Sequence, residues 1–380
     1  MAPLSAEIAD RLLEVTTLHD RLGRIVARQR GENAAKEPPL PRITIPGDWV
    51  GYPIKLDAGI QFEILIDKAS DDPISELYRT GQGHLMDQEL IEIMLQLAGP
   101  GDTIVDLGGF VGTFALAASA AGCKSCVFEA NPTNAALLRA SAVRNGFGQM
   151  RVVEAAATDS FRTLDFYSHG PWGRVVDGQG TEPTSRVVGL PVDVVLAELG
   201  WDGVAFVKID VEGSEIDALK GMGRLLSPGN APPMIIESNG PSLALRSSSP
   251  LELHRLLSGL GYTPYLIKPG RLIEVEAGQL QPNTVSNWLA VKGAPPSLAG
   301  YSVEGPMATE ELIRELVYEG TLPTEDHRAH VAGALAQAES DIKGDQRIIE
   351  LLESLRTDPA EAVRRKARWS TEENLSGEPK

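Results

Sequence analysis

Residues 103–122 read TIVDLGGFVGTFALAASAAG: an apolar strand carrying one acid, a turn with three glycines, and an apolar helix. Few folds accommodate that succession. A strand apolar at nearly every position is covered on both faces, and such a strand feeding a helix belongs to a parallel sheet with helices on both sides. Further strands are expected near 124–129, 151–155, 204–210, 233–237, 263–267 and 286–292. Helices are expected near 112–121, 133–145, 192–199, 214–226 and 250–259. The fold class is therefore α/β, a mostly parallel sheet with helices on both faces. Between 158 and 191 the alternation breaks. There TLDFYS and SRVVGLPV read as an inserted strand pair around a glycine-rich loop.

The chain has 380 residues, enough for one large α/β domain with extensions or for two domains. With 42% hydrophobic and 23% charged residues, a sizeable core can form and wholesale disorder is excluded. The net charge of −17 repels phosphate backbones, so nucleic acid is not expected as a partner. Two cysteines exclude a disulfide scaffold. The first residues, MAPLSAEIADRLLEV, do not read as a secretory signal, and the longest uncharged run, Leu107 to Gly122, is shorter than the ~20 residues of a membrane span. A cytoplasmic protein without a membrane span is expected.

Residues 1–40 read as a helix and a proline-rich linker. Leu4, Ile8, Leu12, Val15, Leu18, Leu22 and Ile25 form one apolar stripe, suited to a core face or to a short coiled coil between subunits. A homodimer through the terminal helices is thus a possible assembly. Residues 41–100 read as a β/α lead-in with a helix over 84–98, residues 101–302 as the main domain, and residues 303–380 as a helical extension.

The chemistry concentrates at two strand ends. In the first, glycines at 108, 109 and 112 let the backbone turn tightly and approach a ligand. The helix start behind them offers free N–H groups. Seventeen residues past Gly112, a second strand ends in Glu129, where a carboxylate can accept both hydroxyls of a ribose. The dinucleotide fingerprint G-x-G-x-x-G would put its first glycine on Leu107, which disfavours a nicotinamide cofactor. The pattern D-x-G-x-x-x-G suits S-adenosylmethionine (SAM) instead. Asp106 can meet the ammonium group of its amino acid moiety. The second strand end reads Val207-Lys208-Ile209-Asp210-Val211-Glu212-Gly213-Ser214-Glu215. Asp210 and Glu212 are expected to project into the same crevice at the carboxyl ends of the strands. Glu215 reads as an acid placed favourably at a helix start.

These motifs, VVD-type strand and glycine turn, FEANPTN, VKIDVEGSEIDALKG and a later IIES, resemble the FkbM-type SAM-dependent methyltransferases over about residues 75–295. The resemblance implies a Rossmann-like class I methyltransferase fold with seven strands and an antiparallel final hairpin. It implies O-methylation of sugars, glycans or secondary-metabolite hydroxyls. By position it implies that Asp106, Gly108, Gly109, Gly112 and Asp210 hold SAM, with Glu129 on its ribose and Ala130, Asn131 and Asn134 near the adenine edge. Where the family has G-A-N this chain has Gly108-Gly109-Phe110, FEANP replaces FEPNP, and Pro191-Val192-Asp193 replaces Thr-Leu-Asp.

Methyl transfer to an alcohol needs in-line geometry and a base for the departing proton. Asp210 and Glu212 are the expected bases, oriented by Lys208, with Glu237 at the next strand end as a further candidate. His84, His169, Trp172 and Asn239 are the expected acceptor contacts. No metal site is expected. Cys123-Lys124-Ser125-Cys126 enters a strand rather than opening a helix, and His327-x-x-His330 has no further ligand. VRRKAR at 363–368 reads as a solvated face. Two other readings stand beside the methyltransferase: a non-catalytic scaffold that keeps the fold, and a nicotinamide oxidoreductase.

Overall fold

In the computed structural model every residue of the Thr103–Leu107 strand is buried, as a strand covered on both faces must be. The structure describes residues 48–56, 59–70, 72–80, 85, 87–168, 170–176, 183–229, 231–277, 285–321, 328, 331–332, 335, 344–360 and 363–364. The expected helix over 4–30, its linker and coiled coil, His84, His169, His327 and His330 lie outside these residues. The chain divides into two units, Met1–Ile235 and Ile236–Lys380.

The first unit opens with an antiparallel hairpin, β1 (Trp49–Lys55) and β2 (Gln61–Asp67), with Trp49 opposite Asp67. It continues with α1 (Pro73–Arg79), α2 (Gln88–Leu97), β3 (Thr103–Leu107), α3 (Thr113–Ala120), β4 (Lys124–Phe128), α4 (Pro132–Arg144) and β5 (Met150–Val153). After these come β6 (Ala156–Ala157), β7 (Arg162–Tyr167), β8 (Arg174–Val175), β9 (Ser185–Leu190), α5 (Val192–Leu199), β10 (Phe206–Ile209) and α6 (Glu215–Lys220). Strands β10, β3, β4 and β5 are neighbours in that order and all parallel. The chain therefore steps outward from β3 to β5 and returns to the other side of β3. In open α/β sheets such a reversal is where ligands bind, beyond the carboxyl ends of the strands.

The local sequence explains the packing. Helix α3 (TFALAASA) has no polar face and buries Phe114, Ala115, Leu116, Ala117 and Ala118. Phe114 stacks on Phe206 of β10 with ring centroids 6.0 Å apart. The hairpin packs on α3 and is fastened to α4 and its end. The N–H of Leu65 donates to Ser141 Oγ at 3.0 Å, and that of Glu63 to Asn145 Oδ1 at 2.8 Å. The expected strand pair, β7 and β9, forms with Arg162 opposite Gly189, but within a four-stranded sheet ordered β6-β9-β7-β8. Ala156, Phe166, Val175 and Val187 give this sheet a small core of its own.

Helix α6 ends at Lys220 rather than at 226. Gly221 is pressed against Thr158, whose carbonyl oxygen would lie 2.1 Å from an added Cβ, and Gly223 follows it. Two glycines in three residues remove the propensity for a longer helix.

The second unit contains β11 (Met234–Asn239), which begins in the last two residues of the first, then α7 (Gly240–Leu245), α8 (Pro250–Gly259), β12 (Thr263–Lys268) and β13 (Arg271–Glu274). It ends with β14 (Val285–Val291), β15 (Ser302–Glu304), α9 (Thr309–Gly320) and α10 (Gln346–Arg356). The order is β15-β13-β12-β14-β11, with β12 antiparallel to both β13 and β14, and β13 parallel to β15. Among the described residues, each of the seven expected strands forms, and two more accompany them. The additions are β13, set by the turn at Gly270 (φ +70°), and the three-residue β15. The fold is α/β and Rossmann-like.

Candidate functional site

The glycine turn is built by exclusion of side chains. Gly108 has φ +87°, and a Cβ there would lie 1.7 Å from the carbonyl oxygen of Asp210. The same approach brings the N–H of Asp210 to Leu107 O at 2.9 Å. Only glycine lets the end of β3 pass so close to the end of β10. A Cβ on Gly109 would meet Val127 Cγ1 at 2.3 Å, and one on Gly112 would meet Leu138 Cδ2 at 2.4 Å. Phe110, between them, is forced to a left-handed φ of 45°.

That conformation aims the Phe110 N–H at Glu129, donating to Oε2 at 2.7 Å, while the N–H of Asn131 donates to Oε1 at 2.7 Å. Glu129 is thus fixed by both oxygens beside the turn. Its burial pushes the carboxyl up to about 7, opposed by these two N–H donors and by the Asn134 amide. Asn131 itself caps α4, accepting from the Thr133 N–H at 2.9 Å. Ala130 packs against the small core of the inserted sheet.

Asp106 faces Lys208 across the β3–β10 pair, where the two residues are register partners. The Asp106 side chain is 1% exposed, and neither carboxylate oxygen has a hydrogen-bond partner. Burial, partly offset by Lys208, pushes it up to about 6. Lys208 is buried as well and donates from Nζ to Asp210 Oδ2 at 3.0 Å. Its pKa is raised: burial works against the charged form, but Asp210, Asp106 and Asp87 outweigh it. The structure thus places Lys208 in direct contact with Asp210.

Glu212 and Gly213 follow with consecutive left-handed backbones, φ 49° and 96°. The turn they make is held from inside by Glu215. The sequence suggests a helix-end acid there, but the residue is fully buried. Its Oε1 accepts from the N–H groups of Gly213 at 3.0 Å and Val211 at 3.3 Å, and burial pushes the carboxyl up to about 7. Glu215 holds the loop in shape, leaving Asp210 and Glu212 half-buried at its rim.

One member of this cluster was missed by sequence reasoning. Asp87 opens α2 in a left-handed conformation, φ 61° and ψ 22°, and its side chain makes no capping hydrogen bond. Its carboxyl is raised chiefly by burial, with Lys208 opposing and Asp210 adding to the rise. An Asp-x-Glu before an apolar run reads as an ordinary helix start, so the sequence carried no signal for it.

Trp172 ends a single helical turn, Gly170–Trp172, between β7 and β8 and is 43% exposed. Beside it in the same sheet the Arg174 guanidinium lies 5.1 Å from the centre of the Tyr167 ring. Glu237 and Asn239 belong to β11. Asn239 caps α7 by accepting from the Ser242 N–H at 3.1 Å and donates to Glu237 Oε2 at 3.2 Å. Cys123 and Cys126 are buried and free, with thiols pushed by burial up to about 11 and about 12. Such thiols are inert as nucleophiles at neutral pH. Among the described residues, no helix is long and apolar enough to cross a membrane.

Residues 106–264 match the family model of the methyltransferase FkbM domain. No curated protein matches the chain. Among solved structures, a precorrin-6y C5,15-methyltransferase from Geobacter metallireducens is 14% identical, with 54% of this chain and 89% of that one covered and a TM-score of 0.33. A SAM-dependent methyltransferase from Agrobacterium tumefaciens is 15% identical over 65% of this chain and 70% of its own, TM-score 0.34. A SAM-dependent O-methyltransferase from Thermotoga maritima is 17% identical over 64% and 78%, TM-score 0.30. Likenesses this distant carry no conclusion about chemistry.

Proposed function

Because residues 106–264 are a methyltransferase FkbM domain, we propose that this SAM-dependent methyltransferase acts on a hydroxyl group, and that its acceptor is a sugar, a glycan or a glycosylated metabolite. The observation that carries the cofactor part is the pairing of a glycine turn, Gly108 to Gly112, with a fixed carboxylate, Glu129. The glycines let the turn pack directly on β10, β4 and α4, which sets the Phe110 N–H on Glu129, and Glu129 retains lone pairs for two ribose hydroxyls. The unpartnered oxygens of Asp106 suit an ammonium group. These residues fit SAM, which supplies a methyl group activated on a sulfonium.

The chain's own part is positioning and proton handling. Asp210, oriented by Lys208, and Glu212 at the rim of the loop are the candidates to accept the proton that leaves the acceptor hydroxyl. The rigid loop around Glu215 fixes where those carboxylates stand, which is the larger share of the work in a displacement reaction. Trp172 offers an exposed flat face on which a sugar ring can stack.

The test is transfer of labelled methyl groups from SAM to a panel of sugars, glycosides and polyketide alcohols. Glu212→Gln is expected to lower turnover ~100-fold with SAM binding unchanged, and Asp210→Asn to lower it at least as far. Full turnover in both variants would remove these residues from the mechanism. Label appearing only in acceptors without a sugar would overturn the acceptor assignment.

A further inference from the structure

We propose that Arg162 is a positioning residue for methyl transfer: through Asp217 it fixes the inserted sheet on α6, the helix that also holds the loop of Asp210 and Glu212, so that an acceptor bound by the sheet meets those carboxylates at a set distance. The proposal rests on the methyltransferase reading.

The core of the inserted sheet is four buried side chains, Ala156, Phe166, Val175 and Val187. A core that small ties the strands to one another but does not orient them against a neighbour. The orientation is set where the chain enters and leaves the insert. On the way in, Thr158 packs so closely on Gly221 that an added Cβ would lie 2.1 Å from the Thr158 carbonyl oxygen. On the way out, the Asp193 N–H donates to Gly221 O at 3.2 Å. The Asp193 carboxylate accepts from the N–H groups of Arg224 at 2.6 Å and Leu225 at 3.0 Å. Between these contacts, Arg162 at the start of β7 donates from Nη2 to Asp217 Oδ2 at 2.7 Å, and the same nitrogen lies 3.3 Å from Asp159 Oδ1. All of the insert's partners here fall on α6 or on residues 221–225 just after it. A partly exposed ion pair adds little stability, but it does fix geometry.

Helix α6 passes that placement on. Glu215 and Asp217 are two residues apart, about 200° around the helix axis, so their side chains leave it on opposite sides. Asp217 grips the insert. Glu215 grips the loop, accepting from the N–H groups of Gly213 at 3.0 Å and Val211 at 3.3 Å. Trp172 follows β7, the strand that Arg162 opens. The acceptor face and the proton-accepting carboxylates thus share one mount, a helix of six residues. In a displacement reaction a misplacement of ~1 Å is enough to slow the transfer.

Arg162→Gln, Arg162→Lys and Asp217→Asn in the full chain test this. Each is followed by thermal melting, SAM titration, amide exchange at Val211 and Gly213, and labelled methyl transfer to the panel of sugars, glycosides and polyketide alcohols. Arg162→Gln and Asp217→Asn are each expected to speed exchange at those two amides ~10-fold. Each is expected to lower kcat ~10-fold with acceptor KM and SAM affinity within ~2-fold. Arg162→Lys is expected to restore most of both. Where Arg162→Gln melts early, Asp217→Asn carries the same comparison. Added to the more damaging of Asp210→Asn and Glu212→Gln, Arg162→Gln is expected to cost less than ~2-fold more, because the carboxylate it places is already gone. A merely structural role would multiply the two losses. Multiplied losses, or unchanged exchange at Val211 and Gly213 in normally melting variants, would overturn the proposal and leave the methyltransferase reading intact. Failure of the unsubstituted protein to bind SAM would overturn both.

Discussion

Gly108 has no room for a single methyl group, and that constraint is where the site begins. A Cβ there collides with the Asp210 carbonyl at 1.7 Å, and φ of +87° strains any other residue. Gly108→Ala is expected to cost ~3 kcal/mol or more of the first unit's stability, read as a shift of its urea midpoint. The neighbouring carboxyls set the pH behaviour. Glu129 and Glu215 rise from 4.5 to about 7, and Asp106 from 3.8 to about 6, each through burial. Raised acids keep their protons in the folded state while the unfolded chain has lost them. The ligand-free protein is therefore expected to lose stability as pH climbs from about 4 to about 7. Ribose hydroxyls donating to Glu129, and an ammonium beside Asp106, favour the ionised forms. SAM binding near pH 6 is thus expected to release protons and to tighten as pH rises. Calorimetry in two buffers of different ionisation enthalpy reads this directly, and Glu129→Gln should reduce the release. A binding heat identical in both buffers would contradict it. At this scale Asp106, Glu129 and Asp210 were legible because their positions follow from strand ends and glycine spacing. Asp87 and the burial of Glu215 were not, because each depends on which element packs over the strand end.

At the scale of elements, the parallel strands and their helices follow from apolar runs punctuated by glycine, and β3 matches its expected bounds, 103–107. The same reading missed β13 although Lys268-Pro269-Gly270-Arg271 is a turn sequence, because RLIE is short and does not alternate cleanly. It also ran α6 through Gly221 and Gly223, where contact with Thr158 decides the end. The inserted sheet β6-β9-β7-β8 has a small core of its own, and Trp172 lies exposed in the connection between β7 and β8. Trp172→Ala is therefore expected to raise the acceptor KM ~10-fold while leaving SAM affinity within ~2-fold. A change confined to SAM affinity would mean that the sheet serves the cofactor instead.

At the scale of the whole molecule, the helices after residue 303 are built into the second unit. Leu312, Ile313 and Leu316 of α9 and Ile348, Leu351, Leu352 and Leu355 of α10 share one core with Ile273 of β13, and Leu266 of β12 packs against it. The ion pairs that accompany this core, Arg347 to Glu310 at 2.7 Å and Arg271 to Glu304 at 2.6 Å, are largely solvated and add little. Leu355→Ala, at a position 1% exposed, is expected to cost ~3 kcal/mol. Truncation after residue 302 should uncover Ile273 and Leu266 and lower solubility, whereas a soluble, fully folded truncation would make the tail dispensable. Composition and helical periodicity foretold these helices, but not the sheet edge they cover, since a periodic stripe does not name its partner. The central claim is that the turn at Gly108 to Gly112 and the carboxylate of Glu129 form a nucleoside site for SAM. The measurement that tests it most directly is calorimetric titration of the full chain and of Glu129→Ala with SAM, with NADH as control. Micromolar binding of SAM, none of NADH, and loss of SAM binding in Glu129→Ala is the predicted result. SAM binding that survives Glu129→Ala in a normally melting protein, or binding of NADH alone, would contradict it.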